Sequence, residues 1–390
     1  MMRSSRLARA VRALPEHGPV VDTTWLKRNL EEDIRIFDAR GSAGGALAAE
    51  QGAQAAPVGG ARPTADYDGY LEGHVPGAVF VNWTRDGARY LDHGAAGGDG
   101  GEQEGQEEAQ EEQEEEGRAS TSGRPWDGWR RRLARPSGGS TGSGLLAAES
   151  DPDVYVPCLE ARGLSAEQAV VVYDDGRSMT AARVWWSLLL FGHPRPYILA
   201  GGWDAWRAGG GGSELYEPCP LKLSTTFEAE PRPQYRASAG EFIAAAEQGA
   251  TAAAAAGGGP GPVAVLLLPE GRGEGLDAGP LPPGLRGLAL ADLLPVASAA
   301  AAGAGRGAGA ELLTEAAAIA CAAGDGQKAE LQRALRARLG VGLGLEAGAL
   351  GNVGARLLLA SPHDAGVSAC VLGALLNGAG HSNWAVCDLL

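Results

Sequence analysis

The chain has 390 residues, a formal net charge of −15 and 44% hydrophobic residues. This length allows about two domains with apolar cores. Every apolar run long enough to span a bilayer is interrupted by glycine or charge, and the sequence has no basic cluster typical of nucleic-acid binding. A soluble protein without a nucleic-acid or membrane partner is therefore predicted. The five cysteines are scattered and odd in number, which is typical of a reducing compartment without a disulfide framework.

The N-terminal segment is basic. Residues 1–14 contain Arg3, Arg6, Arg9 and Arg12, two serines and no acidic residue. On a helix the arginines would lie largely opposite an apolar face. This composition is typical of an organellar transit peptide over residues 1–18, mitochondrial or of another organelle. The alternative is a basic N-terminus without fixed structure in a cytoplasmic protein.

A strand is predicted at Ile34–Asp38, followed by two insertions of biased composition. Residues 41–64 are rich in Gly, Ala and Pro, and residues 84–150 contain long Gly and Glu tracts. Because they offer little apolar surface to bury, both are predicted to be disordered low-complexity insertions. Asp38 and His74 are interpreted as structural residues at turns rather than as an acid–base pair.

The stretch Val170–Trp206 has the strongest periodicity. The β-branched run Val170–Tyr173 predicts a buried strand, and the polar residues Asp174–Ser178 end it. A helix with apolar residues at helical spacing follows, and Tyr197–Leu199 predicts a second strand. This strand–loop–helix–strand order predicts a parallel crossover, in which ligands bind at the loop after the strand. With Ser178 and Thr180 as predicted caps, the loop is a candidate anion site.

Several motifs in this stretch occur together with one that precedes it. They are Tyr-Asp-x-Gly at 173–176, Ala-Ala-Arg-Val-Trp-Trp at 181–186, Phe-Gly-His at 191–193 and Leu-x-Gly-Gly-x-x-x-Trp at 199–206, with Gly-His-Val-Pro-Gly-Ala at 73–78. The combination resembles the two-domain sulfurtransferases, which include the thiosulfate (rhodanese) and 3-mercaptopyruvate enzymes. The resemblance implies an α/β fold of two tandem rhodanese-like domains, each a parallel sheet flanked by helices. It also implies sulfane-sulfur transfer to a thiol or cyanide, without a cofactor. The alternative is a generic α/β crossover with a Trp-rich core.

The same resemblance divides the chain. It places the first domain at residues 19–210, a linker at 211–236 and a second domain at 237–390. Traces of the second domain are the strand Val263–Leu268, a helix at Glu330–Leu339 and the strand Ala355–Ala360. We expect this domain to be degenerate and C-terminally truncated, because the sequence ends before the family's last motif, Gly-Ser-Trp-x-Glu-Trp.

The second catalytic loop departs from the family pattern. Gly366–Cys370 resembles the family's Gly-Val-Thr-Ala-Cys and places His363 at the position of the persulfide-forming cysteine, with Asp364 next. The same count places Asp175 there in the first domain. Imidazole cannot hold a stable persulfide, and Cys370 is expected to be an inert packing residue, so no catalytic residue is predicted. Two interpretations remain: a sulfurtransferase-family protein of doubtful turnover, and an inactive rhodanese-like module that binds an anion or a protein.

Arg183 is the one family site residue that the motifs retain. It matches the first-domain arginine that contacts the anionic substrate, and its alternative is a surface or interface salt bridge. The expected partners are a small anionic sulfur compound and a thiol protein acceptor. No metal site is predicted, because His363, His381, Cys370 and Cys387 lack the spacing of a zinc site.

Overall fold

The computed structural model describes residues 18–43, 63–84, 152–215, 225–254, 261–269, 281–294, 307–322, 324–345, 350 and 355–387. Helices and strands alternate through these residues in an α/β architecture, as the sequence predicts. The chain forms a first half (residues 18–215) and a second half (residues 225–387), each built around one five-stranded sheet. None of the described helices is both long and apolar enough to cross a membrane.

The elements of the first half run in the following order. They are β1 (Val20–Val21), α1 (Thr23–Asn29), β2 (Ile34–Asp38), β3 (Gly41–Ser42), β4 (Thr64–Ala65), α2 (Tyr67–Glu72), β5 (Ala78–Phe80), α3 (Pro152–Glu160), β6 (Ala169–Tyr173), α4 (Thr180–Leu190), β7 (Pro196–Leu199) and α5 (Gly202–Ala208).

The second half continues with a similar alternation. Its elements are β8 (Arg236–Ala237), α6 (Ala239–Ala254), β9 (Val263–Leu268), β10 (Leu285–Ala289), α7 (Ala308–Ala320), α8 (Asp325–Gly342), β11 (Leu357–Ala360), α9 (Val367–Gly378) and β12 (Trp384–Cys387). Short 3₁₀ helices occur at Pro233–Tyr235, Leu290–Leu293 and Pro362–Asp364.

The two sheets have the same strand order. The first is β1-β7-β6-β2-β5 and the second, reversed, is β8-β12-β11-β9-β10, with every pair in both sheets parallel. When the two orders are aligned, β1 corresponds to β8, β2 to β9, β6 to β11 and β7 to β12. Central strands of parallel sheets are covered on both faces, which explains why β6 and β11 are wholly buried and apolar or nearly so. The carboxyl ends of β6 and β11 therefore occupy equivalent positions.

The halves pack against each other through α4 and α9. Every residue of α4 is buried, and so is almost every residue of α9, as expected for helices that are covered on all sides. Trp185 of α4 and Trp384 of β12 have ring centroids 6.1 Å apart, and Trp186 Nε1 donates to the carbonyl of Tyr235 at 3.0 Å. One continuous apolar cluster therefore joins the two sheets.

Some sequence predictions need correction. The ends of the predicted insertion 41–64 are ordered, because Gly41 and Ser42 pair with Ala65 and Thr64 in an antiparallel ladder. Helix α7 was not predicted, since its Ala-rich sequence is similar in composition to the low-complexity tracts around it. Helix α8 extends beyond the predicted Glu330–Leu339 at both ends. The N-terminal segment 1–17 and insertion 85–150 lie outside the described residues.

Candidate functional site

Two equivalent loops connect the central strands to the buried helices. The first loop (residues 174–179) joins β6 to α4, and the second loop (residues 361–366) joins β11 to α9. Both enter the helix through left-handed backbone, at Met179 (φ 58°) in the first loop and at Ala365 (φ 54°) and Gly366 (φ 79°) in the second. Loops at the carboxyl ends of parallel strands are where such folds bind ligands, so these loops are the candidate site.

The second loop is closed by its own carboxylate. Asp364 is fully buried, and it accepts hydrogen bonds from Ser361 Oγ at 2.6 Å, Ser368 N at 3.0 Å and Ser368 Oγ at 2.5 Å. Ser361 Oγ in turn accepts from Ala369 N at 3.2 Å. Two N–H groups of the first turn of α9 are therefore already paired with side chains of the same chain. An incoming anion would have to displace this carboxylate.

His363 lies on the short 3₁₀ helix of the second loop. Its side chain is 13% exposed, and Nε2 stands 3.4 Å from Asp364 Oδ2. The structure thus places an imidazole, next to a buried carboxylate, at the loop position where the sequence resemblance expects a thiolate. A histidine side chain there offers no sulfur on which a persulfide can form.

The first loop is also capped by aspartates. Asp174 Oδ1 accepts from Gly176 N at 2.7 Å and Oδ2 from Ala181 N at 3.1 Å. Asp175 Oδ1 accepts from Arg177 N at 2.8 Å and Ser178 N at 2.7 Å. The open anion cradle expected from the sequence is therefore corrected: its N–H groups are paired with carboxylates in this structure.

The predicted hydroxyl caps of α4 are wrong. The residue that precedes the helix is Met179, which makes no side-chain capping bond, and Asp174 supplies the acceptor instead. Thr180 Oγ1 donates to the carbonyl of Ala39 at 2.7 Å, and Ser178 Oγ lies 3.1 Å from Thr180 Oγ1. Because the backbone turns through a left-handed residue, these hydroxyls tie the helix to Ala39, directly after β2, rather than to its own first turn.

The environment of Asp174 favours the neutral acid. Burial raises the pKa of Asp174 to about 7, and the nearby Asp175 carboxylate adds to the increase. The N–H groups of Gly176 and Ala181 act in the opposite direction but do not outweigh burial. The first loop therefore carries a carboxyl group that titrates near neutral pH.

Arg183 lies where the two halves meet. It is 1% exposed, and its Cζ stands 4.5 Å from the centroid of the Trp186 ring. A Cβ atom placed on Gly366 would lie only 2.6 Å from Nη1 of Arg183, so the guanidinium reaches the second loop from the first half. The structure thus brings Arg183 beside the loop that carries His363, and the reading of Arg183 as a solvent-exposed surface residue is excluded.

The equivalence of the two loops can be read from their ends. Strands β6 and β11 end at Tyr173 and Ala360, and the helices begin at Thr180 and Val367. Both loops have the same length, so the residue equivalent to His363 in the first loop is Gly176. The sequence count that selected Asp175 was one residue early.

The described cysteines lie outside both loops. Cys370 is buried inside α9 and Cys387 is buried on β12, whereas Cys158 and Cys321 are half-buried. Burial raises the pKa of the Cys321 thiol, which disfavours the reactive thiolate. Among the residues that the structure places, no three His, Cys, Asp or Glu side chains converge as a metal ion requires.

A buried polar cluster beside the first loop supports the turn that carries His74. Asp38 is fully buried and receives Arg40 Nη2 at 2.8 Å and Tyr173 Oη at 2.6 Å. Val75 N donates to Tyr173 Oη at 3.2 Å. His74 Nδ1 lies 2.9 Å from the carbonyl of Tyr70, so these residues hold backbone segments together. The sequence signal for the cluster is a charged pair directly after an apolar strand.

Comparison with known proteins matches part of the chain. The family model described as rhodanese-like domain matches residues 148–209. Thiosulfate/3-mercaptopyruvate sulfurtransferase 2 of Arabidopsis thaliana is 41% identical over 79 residues, 20% of this chain and 23% of that protein. The mitochondrial thiosulfate/3-mercaptopyruvate sulfurtransferase 1 of the same plant is 46% identical over 58 residues, 15% of each chain. The matched segments thus span less than a quarter of these relatives.

A solved structure extends the fold comparison to nearly the whole chain. The Tum1 protein from Saccharomyces cerevisiae superposes with a TM-score of 0.50 at 13% sequence identity, over 95% of this chain and 93% of that one. At this identity the likeness concerns the fold alone. It extends over both five-stranded sheets, whereas the family model matches only the region around the first loop.

Proposed function

We propose that this chain, whose residues 148–209 match the rhodanese-like domain model, is a sulfurtransferase-family protein that does not itself turn over thiosulfate or 3-mercaptopyruvate. One observation carries the proposal: the second loop presents His363 and is filled by the Asp364 carboxylate. Sulfur transfer needs a thiolate that attacks the donor's sulfane sulfur, while loop N–H groups stabilise the resulting persulfide. Neither requirement is met by the described loops.

The ligand proposed for this pseudoenzyme is a small anionic sulfur compound, with Arg183 as its cationic contact. The position of Arg183 against Gly366 supports this role, because the guanidinium lies beside the second loop. Binding would require the Asp364 carboxylate to leave the helix terminus. A thiol acceptor takes its sulfur from an enzyme persulfide. We therefore propose a thiol partner only for a variant in which a cysteine replaces His363.

Restoring the thiolate tests the proposal. Parent protein should give no thiosulfate:cyanide or 3-mercaptopyruvate:thiol turnover above the rate without enzyme. The double variant His363→Cys, Asp364→Gly should gain turnover, because it supplies a nucleophile and frees Ser368 N at the start of α9. Its matched control is His363→Ala, Asp364→Gly, which opens the same loop without a thiol. Robust turnover of the parent that disappears in Cys370→Ala would contradict the proposal and make Cys370 the nucleophile.

We also propose that two domains, residues 19–210 and 237–390, are joined by a linker at 211–236. The repeated strand order supports this division, because the first proposed domain contains one five-stranded sheet and the second contains the other, apart from Arg236 at the start of β8. Separate expression of each segment tests it. A cooperative urea transition for each segment is expected, and a segment that unfolds without a transition would contradict independent folding.

A mitochondrial location is proposed for the chain. The basic, acid-free residues 1–14 support it, as does the mitochondrial relative from Arabidopsis thaliana. A fluorescent protein fused after residue 18 should enter mitochondria. A matched fusion in which Arg3, Arg6, Arg9 and Arg12 are replaced by Gln should stay in the cytoplasm, and equal distribution of both fusions would contradict the proposal.

A further inference from the structure

A glycine-rich strap, residues 209–215, follows α5 and packs against the turn that carries His74. Glu214 N donates to the carbonyl of His74 and His74 N donates to the carbonyl of Glu214, both at 3.0 Å. The strap also lies directly on Trp206 of α5, because a Cβ placed on Gly211 would stand only 2.2 Å from Cε2 of that indole. The strap therefore connects α5 to the turn through a few defined contacts.

The imidazole of His74 faces acceptors from both of its nitrogens. The side chain is fully buried, and Nδ1 lies 2.9 Å from the carbonyl of Tyr70, so Nδ1 carries a proton that it donates to this oxygen. Nε2 is buried without a hydrogen-bond partner among the described residues, and it stands 3.9 Å from Oε2 of Glu214. In the neutral ring Nε2 is itself an acceptor that faces a carboxylate, and a proton on Nε2 removes this mismatch.

The surroundings of this ring stabilise a positive charge. Glu214 Oε2 accepts from Gly77 N at 2.7 Å, which holds the carboxylate beside the imidazole although 45% of the Glu214 side chain is exposed. The Tyr70 ring stacks on the His74 ring, with centroids 4.1 Å apart and planes 16° apart, so its electron-rich face lies against the imidazole. Burial disfavours the charged ring, and these two contacts oppose the effect of burial.

The other charged groups around the turn are paired with one another or exposed. Arg40 forms its ion pair with Asp38 at 2.8 Å, and Tyr173 Oη donates to the same carboxylate at 2.6 Å. Glu72 of α2 and Arg207 of α5 are exposed, so water screens their charges. In the part of the chain that the structure describes, Glu214 is therefore the partner for a proton on His74.

We propose that a proton on His74 ties the strap to the first half. The protonated ring donates from Nδ1 to the carbonyl of Tyr70 and from Nε2 to Glu214, whose exposed carboxylate reaches charge-assisted hydrogen-bond distance by moving about 1 Å. Loss of the proton restores two facing acceptors, so the strap opens more often. Because the strap leads into the proposed linker at 211–236, this proton sets how firmly the linker is held. The proposal does not depend on whether the chain transfers sulfur.

The sign of the pH effect follows from linkage. A free imidazole gains its proton as pH falls from about 8 to 5, so the strap should be held more firmly at low pH and released as pH rises. Asp174 titrates in the same range, because burial raises its pKa to about 7, and its carbonyl accepts from Trp203 N of α5. The variants compared at each pH therefore all retain Asp174.

The test compares the full-length parent, Glu214→Gln and His74→Asn between pH 5 and 8. Amide hydrogen exchange at Glu214 N and Gly77 N, corrected for the intrinsic rate at each pH, measures opening of the strap. The parent should gain roughly threefold to fivefold protection at pH 5 relative to pH 8. The glutamine side chain keeps an oxygen acceptor for Gly77 N and can donate to the neutral Nε2, so Glu214→Gln should show equal or greater protection at pH 8.

Two further variants separate the proton from the shape of the turn. In His74→Asn the amide still donates to the Tyr70 carbonyl but carries no charge, so protection of the strap should not change with pH. Gly211→Ala pushes the strap away from Trp206 and gives the protection of an open strap at both pH values.

Nitrogen NMR shifts of the His74 ring measure its protonation directly. Both ring nitrogens should carry protons at pH 5, and only Nδ1 at pH 8. The proposal is overturned if the ring stays neutral at pH 5, if protection in the parent is equal at pH 5 and 8, or if Glu214→Gln keeps the parent's increase at low pH. Should His74→Asn fail to fold, the comparison of the parent with Glu214→Gln still decides.

Discussion

The two halves share one strand order, but the residues at the carboxyl ends of their central strands are polar in the first half and apolar in the second. In the first half Asp38 of β2 lies beside Tyr173 of β6, and both belong to a buried hydrogen-bonded cluster. At the equivalent register of the second half, Leu266 of β9 lies beside Ala360 of β11. The same sheet is therefore built once around a buried ion pair and once around an apolar contact. The polar cluster is not required for the topology.

What the first half gains from this cluster is control of a turn. Arg40 Nη2 donates to the carbonyl of Gly73 at 2.8 Å, and Val75 N donates to Tyr173 Oη. These bonds hold the segment around His74, which pairs with Glu214 in an isolated antiparallel bridge. A buried ion pair adds little stability over an apolar pair. Its hydrogen bonds, however, hold the backbone of the turn around His74 in one position.

Breaking this ion pair should give the largest effect. Arg40→Met leaves the fully buried Asp38 carboxylate without its guanidinium, which we expect to cost about 3–5 kcal/mol in the free energy of unfolding. Urea denaturation at pH 7 measures it. The matched double variant Asp38→Leu, Arg40→Met imitates the second half and should be less destabilised than Arg40→Met alone. If the double variant is the worse of the two, the comparison of the halves fails.

The two loops give the next contrast. Asp364 has two hydroxyl donors and one N–H donor, whereas Asp174 has N–H donors only. Asp364→Ala leaves those donors unpaired in a buried site and should cost about 1–3 kcal/mol. Ser361→Ala removes one of these donors and the acceptor of Ala369 N, and should cost about 1 kcal/mol. Thermal unfolding of both variants at pH 7 measures the difference, and a larger loss for Ser361→Ala would contradict the role given to Asp364.

The sequence predicted those parts of the fold that depend on local apolar pattern. Ile34–Asp38 and Val263–Leu268 are strands at their predicted bounds, because the first alternates apolar Ile34 and Ile36 with Arg35 and the second is a short apolar run. Helix α7 was not predicted, although its buried Leu312, Leu313, Ala316, Ala317 and Ala320 have helical spacing. Its Ala-rich composition resembles that of the low-complexity tracts around it, so composition masked this pattern.

The position of the candidate site could be predicted from the sequence, but the hydrogen bonding of its two aspartates could not. The motifs located both loops and placed Arg183 and His363 near them. They could not show that Asp174 and Asp364 occupy the helix ends, since side chains that turn back on their own backbone depend on the left-handed residues Met179 and Ala365. Left-handed conformations are uncommon for methionine and alanine, so no sequence pattern predicted them.

Removal of a helix cap should cost the two halves about the same stability. Asp22 accepts from Trp25 N at the start of α1, and Ser238 with Glu241 forms a reciprocal capping box at α6. Asp22→Ala and Ser238→Ala should each cost about 1 kcal/mol, because each leaves one N–H of the first turn unpaired. Urea midpoints measured side by side should agree. A much larger loss for one cap would show that its helix contributes unequally to the stability of the whole chain.

The smallest effect is expected for ion pairs at the surface. Arg177 and Asp204 of the first half are 54% and 47% exposed, whereas Arg338 and Glu315 of the second half are 23% and 30% exposed. Water and salt screen the first pair more strongly, so Arg177→Ala should cost at most a few tenths of a kcal/mol and nothing measurable in 1 M NaCl. Arg338→Ala should cost about 1 kcal/mol and keep part of that loss at high salt, since its pair is less exposed. Urea midpoints of both variants at low and high salt test this order, and a reversed order would mean that exposure does not set the strength of these pairs.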